Sequence, residues 1–517
     1  MRYLRNFKFP FVVFLTGACV LIIEVVATRI LSPYFGNTVF TVSSVLGVVL
    51  AALSVGYYFG GRLADKHPSE KYFYLIILCG GLSVALLYLL MLFVLPSIGY
   101  ALPATTGPAI SSVLLFFLPA SLLGLLSPFA IKLHQQSLRG KGTGQASGEI
   151  FFWSTLGSIF GSFFAGFVLI PWLGTRQIVF TVALALILLG LIPLLKIGFL
   201  RKYVLGVTIL AIAFMVSVSP LIEKQEYVLY NHDGLYEQIT IHDGEYLGKP
   251  TRFFSQDISS SGAMFLHSND HVFDYTKYYC LYKVFAPHTK EVLVIGGGAY
   301  TIPKAVLEDS PQVHVDVSEI EPGLLALAQK YFKLPPTNRL SNYTQDGRRL
   351  LHDTSKRYDF IFSDVYYTVH SIPTHFTTQE FFKLVRERLT DNGLFVANII
   401  GDLSSQKPSF TMSEIKTFKS VFPNSYFFAT KSPSSHEGQN IIFVGLANQA
   451  TVDLNSSTIT NHEEEIIRSL AKQNINLNKL NLDEHTLLTD NFAPIERLVT
   501  PLIERISANW FYKETKP

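Results

Sequence analysis

Long apolar runs fill the first part of the chain, and short apolar segments between polar stretches fill the rest. From Phe11 to about Ile222, seven runs approach the ~20 residues that a helix needs to cross a bilayer. They lie roughly at 10–31, 38–60, 72–95, 109–131, 149–171, 177–195 and 203–221. The pattern predicts an N-terminal multi-span α-helical membrane domain over residues 1–222, in contact with a lipid bilayer and located in the cell membrane.

Lys and Arg residues occur in alternate loops between these runs. They precede the first run and follow the second, fourth and sixth, at Arg2, Arg5, Lys8, Arg62, Lys66, Lys71, Lys132, Arg139, Lys141, Lys196, Arg201 and Lys202. Because positive charge favours cytoplasmic loops, the N-terminus is expected in the cytoplasm. Seven spans would then place the rest of the chain on the opposite side. The alternative is that one run, such as the Gly- and Ser-rich fifth, is re-entrant.

From Glu223 onward the pattern is that of a soluble α/β protein. Residues 223–285 predict a small β-hairpin subdomain, in which the two His-Asp-Gly stretches at 232–234 and 242–244 mark turns. Residues 286–450 alternate strands with helices and predict a Rossmann-like domain of the methyltransferase type. A helix is expected over Phe376–Thr390, with Asp391, Asn392 and Gly393 as its stop signal. Residues 451–517 predict a polar, then helical, extension.

Charge and cysteine content exclude two classes of function. The net charge of +3 is too small for a nucleic-acid-binding protein. The three cysteines are scattered without the spacing of metal ligands, so no metal is expected. The sequence leaves the oligomeric state open, and a homo-oligomer is one possibility.

Residues that can bind a nucleoside follow the predicted strands of the α/β domain. They are Gly296, Gly297 and Gly298 after the first strand, Glu319 after the second, Asp346 and Gly347 before a helix, and Asp364 after Asp359–Ser363. Glycines let a ligand approach the backbone, and an acid at the end of the next strand can accept hydrogen bonds from ribose hydroxyls. In this order and spacing they predict a site for an adenosine-containing cofactor.

The same motifs resemble the spermidine synthase family of polyamine aminopropyltransferases. The resemblance covers about Tyr236 to Ile400 and rests on VLVIGGG, on VxEIxP at Val317–Pro322, on DGR at Asp346–Arg348, and on Asp364 followed by PxxFTxxEFF. The apolar half makes the chain similar to the bacterial subgroup in which this domain is fused to a multi-span region. YTKYY at Tyr275–Tyr279 and SIPTHFTTQEFF at Ser371–Phe382 are similar to that subgroup in particular.

The resemblance implies a role for each matching residue. The glycines would approach the amino-acid tail of decarboxylated S-adenosylmethionine or S-adenosylmethionine, Glu319 would hold the ribose, and Asp346 with Gly347 would contact the adenine. Asp364 would be the catalytic residue beside a small-molecule amine. The substrate-binding residues would be Tyr236, Tyr275, Tyr366 and Tyr367. The implied reaction is transfer of an aminopropyl group to an amine such as putrescine.

Departures from the family pattern keep two other functions open. The acid expected directly after the glycines is Ala299, followed by Tyr300, and a second acid expected three residues after Asp364 is Tyr367. Loss of these anionic contacts is compatible with a methyltransferase that uses S-adenosylmethionine on a membrane-borne acceptor. A domain on the far side of the membrane favours instead a non-catalytic protein that binds a nucleoside or a polyamine.

Overall fold

The computed structural model describes residues 7–99, 101–137, 142–197, 205–206, 208–209, 227–257, 259–365, 372–404 and 406–503. The chain divides into two compact units. The first, the helical unit, comprises Met1–Glu226 with His232–Glu237, and the second, the α/β unit, comprises Tyr227–Asn231 with Gln238–Pro517.

Long apolar helices build the helical unit. Six described helices are long and apolar enough to cross a membrane: α1 (Lys8–Phe35), α2 (Val39–Lys66), α3 (Glu70–Phe93), α4 (Gly107–Ser137), α5 (Thr143–Trp172) and α6 (Thr175–Ile197). They correspond to the first six predicted runs. The seventh predicted run, 203–221, lies outside the described residues except for 205–206 and 208–209.

Small residues let α1 and α5 approach closely. A Cβ atom at Gly157 would lie 2.0 Å from the backbone oxygen of Phe14, and one at Gly161 would lie 2.4 Å from that of Ala18. Such contacts between backbones are typical of helices that pack in lipid. The contact positions increase together along both helices, so α1 and α5 run parallel.

Residues 232–237 are attached to helix ends within the same unit. Arg29, near the end of α1, donates a hydrogen bond to the carbonyl oxygen of Gly234 at 3.0 Å and another to that of Leu235. The backbone N–H of Thr175, at the start of α6, donates to Asp233 Oδ2 at 2.7 Å. The opposite end of α1 is marked by an ion pair of 2.6 Å between Lys8 and Glu70. Residues 232–237 therefore lie at the end of the helical unit away from Lys8.

An antiparallel sheet of four strands opens the α/β unit. Its strands are β1 (Val228–Asp233), β2 (Gln238–Tyr246), β3 (Lys249–Gln256) and β4 (Ser259–Phe265), in that spatial order. The second His-Asp-Gly stretch lies inside β2, so its assignment to a turn was wrong. Leu247 and Gly248, with φ of 51° and 74°, make that turn instead.

A mixed sheet of seven strands forms the centre of the unit. The strands are β5 (Glu291–Ile295), β6 (His314–Glu319), β7 (Leu340–Thr344), β8 (Tyr358–Ser363), β9 (Leu389–Gly401), β10 (Ser425–Ala429) and β11 (Gln439–Leu446). Their order is β10-β11-β9-β8-β5-β6-β7, with β10 and β11 antiparallel to their neighbours. The chain progresses outward in both directions from β5 and β8, whose carboxyl ends therefore form the crevice where such folds bind ligands.

Five α-helices of seven or more residues accompany this sheet in the described part of the chain. They are α7 (Thr301–Asp309), α8 (Leu324–Tyr331), α9 (Gly347–Asp353), α10 (Gln379–Glu387) and α11 (Phe410–Val421). The helix predicted over Phe376–Thr390 is shorter, because α10 begins at Gln379 with Thr378 as its N-cap. Asp391, Asn392 and Gly393 lie in the first part of β9 and do not end the helix.

Residues from all three predicted segments, 223–285, 286–450 and 451–517, pack into one hydrophobic core. It contains Ile239 and Ile241 from β2, strand residues of the seven-stranded sheet, and Leu454, Ile459, Ile467 and Leu470 from the C-terminal extension. Polar contacts also bind the extension to the rest of the unit, since Arg348 of α9 donates a hydrogen bond to Asp490 Oδ1 at 2.8 Å. Segments that share a core fold as one compact unit.

Candidate functional site

The predicted glycines and the predicted catalytic acid meet at the crevice between β5 and β8. The backbone N–H of Asp364 donates to the carbonyl oxygen of Ile295 at 2.8 Å. A Cβ atom at Gly296 would lie 2.2 Å from the backbone oxygen of Asp364, a separation that no other residue tolerates. Gly296 and Asp364 are 68 positions apart in the sequence. They are in contact because the two parallel strands that precede them end at the same edge of the sheet.

The backbone of this loop is left-handed at three positions. Gly296, Gly298 and Tyr300 have φ of 90°, 49° and 56°. A Cβ atom at Gly298 would meet its nearest neighbour, Phe254, only at 4.0 Å, so that side of the loop is open. A ligand can therefore approach the backbone at Gly298.

Glu319 connects the end of β6 to this loop. Its Oε2 accepts hydrogen bonds from the N–H groups of Gly297 at 2.8 Å and Gly298 at 3.2 Å, and its Oε1 accepts one from Glu321 at 2.8 Å. Burial raises the pKa of Glu319, and these N–H donors oppose the rise. An ionised carboxylate has about four acceptor positions, so capacity remains for a hydroxyl donor.

Asp346 begins α9 at the neighbouring strand end. Its Oδ1 accepts from the N–H of Arg349 at 3.0 Å, and its Oδ2 is 2.9 Å from His375 Nε2. Burial alone would raise the pKa of Asp346, but the bonds from His375 and Arg349 outweigh it and lower the pKa. A Cβ atom at Gly347 would lie 2.2 Å from Ile295 Cγ2, so α9 starts directly against β5.

Asp364 is partly exposed and has polar partners on two sides. Its Oδ1 accepts a hydrogen bond from Asn398 Nδ2 at 2.9 Å, and its carboxylate also interacts with the hydroxyl of Tyr275. Burial raises the pKa of Asp364 to about 6, although both partners act in the opposite direction. A carboxylate with this pKa is mostly ionised at pH 7 and close to the optimum for accepting a proton.

The four predicted substrate tyrosines have different outcomes. Tyr275 lies in a 3₁₀-helix, Asp274–Leu281, and its hydroxyl, besides interacting with Asp364, donates to the carbonyl oxygen of Ser261 at 3.1 Å. Burial first, and then Asp364, raises the pKa of Tyr275. Tyr236 belongs to the helical unit and is 54% exposed, so its role stays a prediction. Tyr366 and Tyr367 lie outside the described residues.

Two residues after the glycines fill space around the loop. The ring of Tyr300 lies against Gly297, where a Cβ atom would be 2.7 Å from it, and its hydroxyl donates to Asn342 Oδ1 at 2.6 Å. The methyl group of Ala299 faces β4, since a Cβ atom at Gly262 would lie 2.6 Å from it. Gly262 leaves the space on β4 that the methyl group of Ala299 occupies.

Sequence reasoning missed Asn398 and Asn440. Asn398 lies on β9 and Asn440 on β11, and neither belongs to a motif that marks it as functional. A polar residue inside the apolar run FVANII was the one available signal. Among the described residues there is no group of three or more His, Cys, Asp or Glu side chains arranged to hold a metal ion.

Comparison with known proteins agrees with this geometry. Residues 280–456 match the model of the spermine/spermidine synthase domain. The chain carries a spermine/spermidine synthase domain. It is 27% identical over 220 residues to a polyamine aminopropyltransferase of Vibrio vulnificus, an alignment that covers 42% of this chain and 72% of the relative.

The chain is also similar to two further proteins. The chain is 26% identical over 412 residues to polyamine aminopropyltransferase 2 of Streptomyces coelicolor, with 74% of this chain and 71% of the relative covered. A crystal structure of a probable spermidine synthase from Corynebacterium glutamicum covers 45% of this chain and 84% of its own, at 23% identity and a TM-score of 0.40. The domain match and the two sequence relatives indicate a transferase of the polyamine aminopropyltransferase type.

Substitution of Gly296 tests the junction of β5 and β8. We expect Gly296→Ala to lower the free energy of unfolding by more than the ~1–2 kcal/mol that a left-handed alanine costs, because its Cβ would also meet the backbone of Asp364 at 2.2 Å. Gly323→Ala is the matched control, since Gly323 has φ of 86° but open space around it. The free energy of unfolding of each variant is measured by chemical denaturation. Equal decreases for the two variants would show that the contact between Gly296 and the backbone of Asp364 does not matter.

Proposed function

We propose that this protein transfers an aminopropyl group from decarboxylated S-adenosylmethionine to an amine such as putrescine. The observation that carries the proposal is the position of Asp364, which lies beside Gly296 at the carboxyl ends of β5 and β8, with a pKa of about 6. The domain match over residues 280–456 and the names of the two sequence relatives support it.

The reaction requires a neutral amine. Alkyl amines resemble lysine, with a pKa of ~10.4, and are mostly protonated at pH 7. The carboxylate of Asp364 attracts the cation, orients it and accepts a proton. The amine nitrogen then forms a bond to the methylene carbon next to the sulfonium. The bond from that carbon to sulfur breaks, and sulfur keeps the electron pair in methylthioadenosine.

The nucleoside part of the donor fits the residues at the other strand ends. Glu319 has acceptor capacity for ribose hydroxyls beside the open face of Gly298. Asp346 at the start of α9 would face the adenine. Neither role requires a metal ion.

One observation favours a second candidate function. The methyl group of Ala299 packs toward Gly262, so position 299 supplies no negative charge for the ammonium group of the donor's tail. S-adenosylmethionine carries a carboxylate beside that ammonium group and depends less on such a charge. A methyltransferase acting on a membrane-borne acceptor is therefore the alternative.

Paired substitutions separate chemistry from nucleoside binding. Asp364→Asn should abolish aminopropyl transfer while leaving the Kd for methylthioadenosine within about threefold, because the amide cannot accept the proton. Glu319→Ala should raise that Kd by at least about tenfold, since one charged hydrogen bond contributes ~1.5–3 kcal/mol. Wild-type activity should fall as pH drops through about 6, where Asp364 becomes protonated. Full turnover by Asp364→Asn would remove Asp364 from the mechanism.

We also propose that the helical unit crosses a membrane, with the N-terminus in the cytoplasm. The six long apolar helices and the alternating positive loops support this. Residues 232–237 are held by Arg29 and Thr175 at the end of the unit away from Lys8, so they would lie on the opposite side of the membrane. The seventh apolar run, 203–221, which predicts a further crossing, lies outside the described residues except for 205–206 and 208–209.

Cysteine labelling tests this topology. In a chain without Cys19, Cys79 and Cys280, we expect Leu235→Cys to react with an impermeant maleimide on intact cells, because Leu235 is 40% exposed. His67→Cys is the matched control at the end near Lys8, and we expect it to react only after the membrane is opened. Labelling of both positions from the same side would contradict the proposed topology.

A further inference from the structure

Two asparagine side chains form a hydrogen-bonded series that ends on Asp364. Asn440 Nδ2 donates to Asn398 Oδ1 at 2.9 Å, and Asn398 Nδ2 donates to Asp364 Oδ1 at 2.9 Å. Asn398 is only 2% exposed, so few waters can replace either partner. A buried amide whose oxygen and NH₂ group are both hydrogen-bonded, as in Asn398, is held in one arrangement.

The sheet register brings the three side chains together. In the antiparallel pair of β9 and β11, Asn398 is opposite Ile442 and Asn440 is opposite Ile400. The two asparagines are therefore two residues apart diagonally and share one face of the sheet. In the parallel pair of β8 and β9, Ser363 is opposite Ala397, which places Asp364 beside Asn398.

The series fixes which way the amide of Asn398 points. A primary amide has a donor end and an acceptor end. Because Asn440 donates to the oxygen of Asn398, the NH₂ group of Asn398 must face Asp364. The carboxylate therefore always meets a donor at Oδ1, and rotation of its side chain would break that bond.

We propose that Asn398 is a positioning residue for the transfer reaction, held in its orientation by Asn440 and in turn holding Asp364. This inference rests on the proposed function, in which Asp364 accepts the proton of the amine. Oδ1 of Asp364 accepts the hydrogen bond from Asn398, and Oδ2 is the oxygen that takes the proton of the amine. Neither asparagine touches the reacting atoms.

Removal of the Asn398 donor should change the pH at which Asp364 is protonated in a predictable direction. Among the described residues, Tyr275 is the titratable group that interacts with Asp364, and it remains protonated through neutral pH because its own pKa is raised. Asn398 stabilises the carboxylate, so its removal moves the protonation of Asp364 to higher pH. Transfer needs the carboxylate, and the acidic limb of activity should move upward with it.

The pH profile of kcat/KM for the full chain in detergent tests the proposal. We expect Asn398→Leu to move the acidic limb upward by about one pH unit, the size typical of one lost hydrogen bond to a carboxylate, with activity recovering at higher pH. Asn440→Ala should move it in the same direction by less. Asn448→Ala is the matched control, since Asn448 bonds an exposed asparagine, Asn392, at 3.0 Å, and should leave the profile unchanged. An equal loss for Asn398→Leu at every pH would overturn the proposal.

A second readout does not depend on activity. A carboxyl with a raised pKa stabilises the fold below its ordinary pKa of ~3.9, and this contribution is lost as pH rises through the pKa in the fold, about 6 here. Asn398→Leu should extend the resulting fall in Tm above pH 6. In an Asp364→Asn background the same substitution should leave the pH dependence of Tm unchanged.

The two readouts separate two kinds of failure. If Asn398→Leu changed the pH dependence of Tm equally in both backgrounds, Asn398 would not act through Asp364, and the inference would be wrong. A different outcome is that the wild-type chain transfers no aminopropyl group, while Asn398→Leu changes the pH dependence of Tm only in the chain that keeps Asp364. The proposed function would then fail, and the positioning of Asp364 by Asn398 would stand.

Discussion

The junction of β5 and β8 is the constraint on which the candidate site depends. The N–H of Asp364 reaches the carbonyl oxygen of Ile295 at 2.8 Å, and this bond is possible only because Gly296 has no Cβ atom. The contact places the glycine loop and a carboxylate side by side at the point where the strand order reverses. Every function considered for this chain uses that arrangement, whether the donor transfers an aminopropyl group, a methyl group or nothing.

Three carboxylates at neighbouring strand ends differ in their environment. Burial dominates at Asp364 and Glu319 and raises the pKa of both, whereas hydrogen bonds from His375 and Arg349 lower that of Asp346. Glu319 is bound by three backbone N–H groups, which suits a fixed anchor for the loop. Asp364 has a side-chain donor on one oxygen and is partly exposed, which suits a group that meets a substrate. The proposed division of roles thus rests on burial and hydrogen-bond donors rather than on residue type.

The sequence predicts the elements that follow local rules and misses those set by distant contacts. Strand ends at Gly296, Glu319 and Asp364 were predictable because apolar strands and glycines have local signatures. Asn398 and Asn440 were not, since their pairing depends on the register of β9 with β11. The segment boundary at 450 was misleading because Leu454 and Ile459 complete a core whose other members lie far away in sequence. The left-handed backbone of Tyr300 could not be predicted from the sequence either, because it depends on the hydrogen bond to Asn342 and on the space beside Gly297.

Calorimetric titration of the full chain with three nucleosides tests the central claim most directly. Decarboxylated S-adenosylmethionine, S-adenosylmethionine and methylthioadenosine would each be titrated into the protein in detergent. Aminopropyl transfer predicts that the decarboxylated donor binds at least about tenfold more tightly than S-adenosylmethionine, because discrimination of that size corresponds to ~1.4 kcal/mol. The reverse preference would contradict the claim and indicate methyl transfer, and no binding of any of the three would contradict both transferase functions.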